Sequence, residues 1–210
     1  MSFITFNIEQ IKAIVFDLDN TLVTSDIDFT ELRKQIGCSH DDDVLSYVEK
    51  LKCDKRKLLA NNLILQHELE DALQSDTLPG CHSLIQFIHN NNMKTAIITR
   101  NCEQAAKTKA EHNKLNIPTI ISREHFPPKP APDSLFSLAK QWDLKTHQVL
   151  YVGDYIYDLQ AAFNASMPSC LVTHGEEKLY SSSASLVVEH LHDIEQLFDT
   201  HYYSETSRAS

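Results

Sequence analysis

Five short apolar runs recur along the chain without the polar alternation that a half-exposed strand would show. They occupy residues 14–16, 95–99, 119–121, 149–153 and 170–173. A continuously apolar run of this length is typical of a strand that is buried on both faces of a parallel sheet. Helical patterns lie between the runs, at about residues 81–91, 102–114, 133–143 and 158–165. This alternation predicts an α/β fold with a doubly wound parallel sheet and right-handed crossovers.

Residues 24–78 interrupt the alternation, because they contain helical patterns and no strand-like run. The helices are expected at about 28–36, 41–52 and 55–75, and the third has leucines at helical spacing along one face. Ser39 is expected to cap the second helix. We therefore predict a core of residues 1–23 and 79–200, a small all-helical insert of residues 24–78, and a polar tail of residues 201–210.

The charge and the cysteines restrict the kind of protein this can be. The formal net charge is −10, which disfavours nucleic-acid binding, since that binding takes most of its affinity from Lys and Arg on phosphate. No apolar run approaches the ~20 residues that a membrane helix needs, and residues 1–6 do not resemble a signal peptide. Five scattered cysteines without a CxxC motif are typical of reduced thiols. We expect a cytoplasmic monomer or homodimer that binds neither nucleic acid nor a membrane.

Two carboxylates follow the first apolar run at a spacing of two residues. In Asp17-Leu18-Asp19-Asn20-Thr21, the first acid comes directly after Phe16. Because parallel sheets bind ligands at the carboxyl ends of their strands, both acids are expected at the ligand-binding edge. There Asp17 is suited to attack a phosphorus atom, and Asp19 is suited to protonate the leaving oxygen and later to activate water.

Distinctive polar residues also follow the later runs. Thr99 ends the second run, Lys129 follows the third, and Asp154 follows the fourth, with Asp158 four residues further on. The Thr99 hydroxyl can donate to a phosphoryl oxygen, and the Lys129 ammonium can neutralise its charge. The carboxylates of Asp17, Asp154 and Asp158 are hard oxygen ligands that suit Mg²⁺. A cation is expected here because several carboxylates in one place repel one another.

In this order, the motifs resemble those of the haloacid dehalogenase (HAD) superfamily of hydrolases. The four family motifs are matched by Phe16–Leu22, Thr99, Lys129 and Gly153–Asp158. The helical insert after the first motif resembles the C1 cap of the phosphoglycolate-phosphatase-like members. The resemblance implies a Rossmann-like core with the first strand central, and a mobile cap that closes over the site and excludes water.

The resemblance also implies the roles of the acidic residues. Asp17 would be the nucleophile and a metal ligand, whereas Asp19 would be the general acid and base and would bind the metal through its backbone carbonyl. Asp154 would ligate Mg²⁺ with help from Asp158. Position 20 is Asn where many members have Gly, and Asn can still adopt the left-handed conformation of a tight turn.

A second group of residues would hold the phosphoryl group by the same resemblance. It comprises the side chains of Thr99 and Lys129 and the backbone N–H groups of Leu18 and Asp19. Arg100 stands where many phosphatases of the family have Asn. Its guanidinium could reach an anionic group of the substrate or point to solvent. We include Arg100 among the predicted phosphate-binding residues, and its role in the choice of substrate stays open.

These residues favour a Mg²⁺-dependent phosphatase that acts on a small phosphorylated metabolite through an aspartyl-phosphate. Dehalogenases and phosphonatases lack an acid at the second position, so Asp19 argues against both. A sugar-phosphate isomerase of the phosphoglucomutase type keeps both acids and stays an alternative. A non-catalytic HAD-like protein that binds a partner is a further alternative, which the intact motif set disfavours.

The identity of the phosphomonoester is not encoded in any motif of the helical insert. Phosphoglycolate, a sugar phosphate and a nucleoside monophosphate all stay open as substrates. Weaker candidates for the pocket are Asp28, Phe29, Arg33 and Arg123. Closure of the insert could bring the first three near the substrate.

Overall fold

The sheet of this protein, described by a computed structural model over residues 3–206, has six strands that are all parallel to their neighbours. The strands are β1 (Ala13–Phe16), β2 (Lys94–Ile98), β3 (Ile120–Ile121), β4 (Val149–Gly153), β5 (Ser169–Val172) and β6 (Leu186–Val188). Their spatial order is β3-β2-β1-β4-β5-β6, so the chain winds outward from β1 in both directions. The predicted α/β fold with a doubly wound, Rossmann-like parallel sheet is confirmed.

Helices follow or cover these strands. They are α1 (Phe29–Ile36), α2 (Val44–Glu49), α3 (Asp54–Gln74), α4 (Cys81–Asn90), α5 (Glu103–His112), α6 (Asp133–Gln141), α7 (Ile156–Asn164) and α8 (Leu191–Thr206). The first three form the helical insert that the sequence predicts between the first strand and the first core helix. Among the helices of residues 3–206, none combines the length and the apolar character needed to span a membrane.

Both faces of the sheet are covered, as the apolar runs predict. On β1, Ile14 and Phe16 pack in the hydrophobic cluster that includes side chains of α4, α5 and α8. Ala13 and Val15 pack in the opposite cluster, with side chains of α6 and α7. All four side chains are fully buried, so the strand has no solvent-facing side to carry polar residues.

The register of β1 brings the predicted motifs together. Phe16 lies opposite Ile97 of β2 on one side and Val152 of β4 on the other. The next residue, Asp17, donates its backbone N–H to the Val152 carbonyl at 2.8 Å. The carboxyl ends of β1, β2 and β4 therefore lie side by side. Asp17 follows β1 and Thr99 follows β2 at this edge.

The helical insert has its own small hydrophobic core, built from buried residues of α1, α2 and α3. Two linkers join it to the sheet and pair with each other, because Val23 forms an antiparallel bridge with Thr77. Thr24 also donates its N–H to the Asp76 carbonyl at 2.8 Å. The linkers thus run side by side, which gives the insert a narrow connection to the core. The boundaries at 23/24 and 78/79 stay predictions.

The cap of α2 differs from the prediction. The carboxylate of Asp43, not Ser39, accepts a hydrogen bond from the Ser46 N–H at 3.0 Å and begins the helix. Ser39 instead accepts from the Asp42 N–H at 3.2 Å through its carbonyl, in a turn before the helix. Several consecutive residues here have cap-forming side chains, and the turn decides which of them lies at the helix start.

The sequence does not predict β6 or α8. β6 has three residues, lies at the edge of the sheet and follows a serine-rich segment, which hides its strand pattern. α8 buries Leu191, Ile194 and Phe198 against the core and continues to Thr206, into the segment expected as a polar tail. The remainder of that segment, residues 207–210, lies outside the described residues.

Candidate active site

A tight turn after β1 holds the two predicted catalytic acids. Asn20 has a φ of 53°, the left-handed conformation expected for a residue that replaces Gly. Its N–H donates to the Val23 carbonyl at 2.7 Å, and this bond closes the turn. Asp17 and Asp19 both line the cavity at the carboxyl edge of the sheet.

A buried ammonium group connects two of the acids. Lys129 Nζ donates to Asp17 Oδ1 at 2.5 Å and to Asp158 Oδ1 at 2.6 Å. The Tyr151 hydroxyl donates to the same oxygen of Asp158 at 3.2 Å. Burial alone would lower the pKa of Lys129, but the two carboxylates outweigh burial and raise it well above its usual value. Lys129 therefore remains a fixed positive charge within the site.

Three carboxylates at this place fit a divalent cation. Asp17, Asp154 and Asp158 each place an oxygen within 4.8 Å of the other two. Burial, opposed by Lys129 and reinforced by Asp158, raises the pKa of Asp17 to about 7. Burial and then the carboxylates of Asp17 and Asp158 raise the pKa of Asp154 to about 8. One ammonium does not compensate this charge, and Mg²⁺ takes carboxylate oxygens at about 2.1 Å, so the donor set suits it.

Hydrogen-bond donors beside Asp17 fit a phosphoryl group. Within residues 3–206, neither the Leu18 N–H nor the Asp19 N–H has an acceptor in the protein. The hydroxyl oxygen of Thr99 accepts from the Asn101 N–H at 3.1 Å, so the hydroxyl proton is available for donation to another group. The side chain of Leu18 is buried in the core and contributes only its backbone to the site. These donors can bind oxygens of an anion next to Asp17.

Asp19 is held by residues that the sequence analysis missed. Its Oδ2 accepts from Asn101 Nδ2 at 2.8 Å, and its Oδ1 accepts from Lys109 Nζ at 2.5 Å. Lys109 is fully buried and also binds the carboxylate of Asp71 on α3. Burial alone would lower its pKa, but the two carboxylates raise it. One feature of the sequence could have indicated this role of Lys109. It shares the buried face of α5 with alanines, and a buried lysine needs acidic partners.

The Arg100 side chain does not point freely to solvent, because it binds both the helical insert and the core. Its Nη2 binds Asp43 Oδ2 of the helical insert at 2.5 Å, and its Nη1 donates to the Lys129 carbonyl at 3.1 Å. The guanidinium carbon lies 4.7 Å from the centre of the Tyr157 ring. Arg100 still lines the cavity, so its predicted phosphate-binding role stays a prediction.

Ion pairs join the insert to the core at three places in the described part of the chain. They are Arg100–Asp43, Arg123–Glu68 and Lys109–Asp71. In each pair the acid belongs to the insert and the cation belongs to the core. Arg123, a weaker pocket candidate in the sequence, therefore binds the insert, and its Nη1 also donates to the Arg100 carbonyl at 2.9 Å.

The cavity between the insert and the sheet has a volume of about 550 Å³. Phe29 and Arg33 line it from the insert, whereas Asp28 caps α1 by accepting from the Glu31 N–H at 2.9 Å. The structure brings the side chains of most sequence-predicted site residues to this cavity: Asp17, Asp19, Thr99, Arg100, Lys129, Asp154 and Asp158. Their individual roles stay predictions.

Gly153 leaves the space that Asp158 occupies. A Cβ atom at position 153 would overlap the Asp158 carboxylate. Gly153 has no positive φ, so this overlap alone makes alanine unfavourable there. We expect Gly153→Ala to lower the free energy of unfolding by about 1–3 kcal/mol, measured by urea denaturation. An unchanged free energy of unfolding would show that the Asp158 side chain can move away from position 153 without cost.

The arrangement supplies four elements of phosphoryl chemistry. It has a carboxylate that can act as nucleophile, a second carboxylate that can transfer protons, donors for an anion, and a set of acids for a cation. All four meet at the end of the central strands, where a parallel sheet binds its ligands.

Comparison with known proteins places this arrangement in context. The chain matches a family model described as haloacid dehalogenase-like hydrolase over residues 24–172. It is 28% identical, over 160 residues, to a haloacid dehalogenase-like hydrolase domain-containing protein of Arabidopsis thaliana, a match that covers 71% of this chain and 65% of that protein. The chain thus spans just under two thirds of that relative's length.

Two further matches extend over nearly the whole chain. Phosphoglycolate phosphatase of Aquifex aeolicus is 23% identical over 90% of this chain and 98% of that protein. The crystal structure of a hydrolase from Pseudomonas syringae superposes with a TM-score of 0.76 at 20% identity, covering 90% of this chain and 98% of the other. At that identity the structural likeness concerns the fold alone.

Proposed function

Since the chain belongs to the haloacid dehalogenase-like hydrolase family, we propose that it is a Mg²⁺-dependent phosphatase that hydrolyses a small phosphomonoester through an aspartyl-phosphate. The observation that carries this proposal is that Asp17 and Asp19 line one cavity together with Thr99 and Lys129. A second acid beside the nucleophile is what release of an alcohol requires. The similarity to a phosphoglycolate phosphatase supports the same reaction class.

In the first step, a carboxylate oxygen of Asp17 forms a bond to phosphorus while the bond from phosphorus to the leaving oxygen breaks. Asp19, in its protonated form, gives its proton to that oxygen, and the alcohol leaves. Lys129, Thr99 and the Leu18 N–H hold the phosphoryl oxygens in line for this transfer.

In the second step, Asp19 accepts a proton from water, and the water oxygen attacks the phosphorus of the aspartyl-phosphate. The bond to Asp17 breaks, which regenerates the carboxylate and releases inorganic phosphate. Asn101 and Lys109 each bind one oxygen of Asp19, so the carboxylate is held in one orientation through both steps.

A cation supports both steps. The carboxylates of Asp17, Asp154 and Asp158 and the backbone carbonyl of Asp19 would hold Mg²⁺, which offsets the negative charge of the phosphoryl oxygens when it is bound. The helical insert would cover the site during the reaction and exclude bulk water.

We also propose a cellular compartment and binding partners for the protein. The compartment is the cytoplasm and the substrate is a small phosphorylated metabolite. We expect neither nucleic acid nor a membrane as a partner. The formal net charge of −10 supports the exclusion of nucleic acid. A monomer or a homodimer is the form we expect.

Removal of the metal is expected to abolish turnover. Treatment with EDTA should stop hydrolysis of p-nitrophenyl phosphate, and added Mg²⁺ should restore it, because the acids then regain their counter-charge. Mg²⁺ at about 100 times its dissociation constant should also stabilise the fold by about 2.7 kcal/mol, measured as a rise in melting temperature. Turnover that persists in EDTA would contradict the assignment of a metal.

A panel of phosphomonoesters then tests the reaction class. It should include phosphoglycolate, a sugar phosphate and a nucleoside monophosphate, and we expect Mg²⁺-dependent release of phosphate from at least one. A folded protein that binds Mg²⁺ and hydrolyses no member would contradict the proposal. That result would favour the sugar-phosphate isomerase or the partner-binding protein.

A further inference from the structure

One lysine connects the predicted acid and base with the helical insert. Lys109 lies on α5, and its side chain has 0% relative exposure. Its ammonium binds two carboxylates from different parts of the molecule, Asp19 of the turn after β1 and Asp71 of α3. The family motifs do not include this lysine, and the two steps described above do not require it as a ligand of the substrate.

Asp71 in turn fixes the first linker of the insert. Its Oδ1 accepts from the Asp26 N–H at 2.7 Å, and its Oδ2 accepts from the Ser25 hydroxyl at 2.9 Å. Asp71, which lies on α3, therefore binds the first linker and the core lysine at once. A rotation of the insert about its linkers would move this carboxylate relative to Lys109.

We propose that Lys109 is a positioning residue for Asp19, and that the ammonium it shares with Asp71 holds the Asp19 carboxylate in its working position while the insert is docked. This inference rests on the proposed function, because it concerns the residue assigned as acid and base. The substrate would not touch Lys109, which lies behind Asp19 in the interior.

The charges explain why this position depends on the lysine. Without Lys109, the Asp19 side chain would keep one partner within residues 3–206, Asn101. The carboxylates of both Asp19, which is 24% exposed, and Asp71, which is 6% exposed, would lose their counter-charge. A partly exposed carboxylate that loses its cation is better solvated in the cavity than beside an apolar side chain, so Asp19 would turn toward water. A purely structural lysine would instead hold α3 on α5 and leave the orientation of Asp19 unaffected.

The two roles predict different dependence on the leaving group. p-Nitrophenolate departs readily without a proton, whereas the alcohol of glycerol 2-phosphate needs one from Asp19. The value of kcat/KM reports the steps up to release of the alcohol. A misplaced Asp19 should therefore impair glycerol 2-phosphate much more than p-nitrophenyl phosphate.

Lys109→Met is the variant that tests this. We expect kcat/KM to fall roughly 100-fold for glycerol 2-phosphate and less than about tenfold for p-nitrophenyl phosphate. The matched control is Lys107→Met on the same helix, because Lys107 is exposed and its ion pair, with Glu103, stays within that helix. The control should retain wild-type values for both substrates. An equal loss for both substrates, or no loss, in Lys109→Met would overturn the proposal.

Asp71→Asn serves if Lys109→Met does not fold. It removes the charge on the insert and leaves the contact between Lys109 and Asp19 in place. We expect a loss of about tenfold for glycerol 2-phosphate and little change for p-nitrophenyl phosphate. An absence of this selectivity would overturn the connection between the insert and Asp19.

Hydrogen–deuterium exchange gives a readout that does not depend on turnover. Lys109→Met should increase exchange of the backbone amides in residues 18–26 and 71–77, compared with the wild type and with Lys107→Met. Unchanged exchange in residues 18–26 would overturn the positioning role even if the protein hydrolyses neither phosphate. Failure of the proposed function would instead appear as absent turnover in the wild type with this exchange pattern intact.

Discussion

Asp17→Asn is expected to abolish turnover of p-nitrophenyl phosphate and of every alkyl phosphate. A neutral amide is a poor nucleophile toward phosphorus and a weaker ligand for Mg²⁺, so neither the covalent intermediate nor the charge compensation would form. Loss of a nucleophile typically costs on the order of 10⁵-fold or more in kcat. The measurement is phosphate release at saturating Mg²⁺, with circular dichroism to establish that the variant is folded.

Asp143→Asn is the matched control for this variant. Asp143 is exposed, lies outside the cavity and has a φ of 54°, a conformation that Asn accommodates well. Its kcat should equal that of the wild type. If Asp17→Asn keeps more than about a hundredth of the wild-type kcat, and mass spectrometry shows no deamidation back to Asp, then Asp17 is not the nucleophile.

Lys129→Met is expected to remove both activity and stability. The side chain of Lys129 is 4% exposed and binds Asp17 and Asp158, so its loss leaves buried carboxylates without their cation. Breaking such a buried pair from one side costs about 3–5 kcal/mol of unfolding free energy. Loss of its charge on the phosphoryl group should lower kcat/KM by about 10²–10³-fold.

Urea denaturation and steady-state kinetics measure these two effects. Lys94→Met is the control, because Lys94 is exposed and begins β2 at the opposite edge of the sheet. Mg²⁺ should raise the melting temperature of Lys129→Met more than that of the wild type, since the acids then have no competing ammonium. If Lys129→Met is as stable as the wild type and Mg²⁺ does not raise its melting temperature, the three carboxylates do not require a cation.

The position of the main site could be predicted from sequence because the order of the strands determines it. Each predicted residue follows a buried strand, and parallel strands direct their carboxyl ends to one edge. Asp17, Thr99 and Asp154 therefore meet without any knowledge of side-chain contacts. The turn at Asn20 was also predictable, because few residues besides Gly adopt its conformation.

The partners of Asp19 and Arg100 could not be predicted in this way. Lys109 binds Asp19 across 90 positions of sequence, and Arg100 binds Asp43 across 57. The first pair depends on how α5 packs beside the turn after β1, and the second depends on how the insert docks onto the core. No local pattern of residues specifies either packing. The sequence fails to indicate α8 for a different reason, since the apolar residues Leu191, Ile194 and Phe198, which it buries, stand among polar residues that dominate its composition.

In all three ion pairs between the insert and the core within residues 3–206, the insert supplies the carboxylate and the core supplies the cation. This arrangement would affect how an acidic protein attracts an anionic substrate. With the carboxylates of Asp43 and Glu68 drawn away, the guanidinium groups of Arg100 and Arg123 would lose their counter-charges. Arg100 donates to the Lys129 carbonyl, and Arg123 donates to the Arg100 carbonyl, so these cations adjoin one another. A local positive field of this kind steers anions toward a cleft even when the surrounding surface repels them. When the insert docks after the phosphate has entered, its carboxylates would pair with the two arginines again and neutralise their charge. The same arrangement would make entry of an anionic substrate sensitive to salt, because mobile ions screen the attraction over about 10 Å.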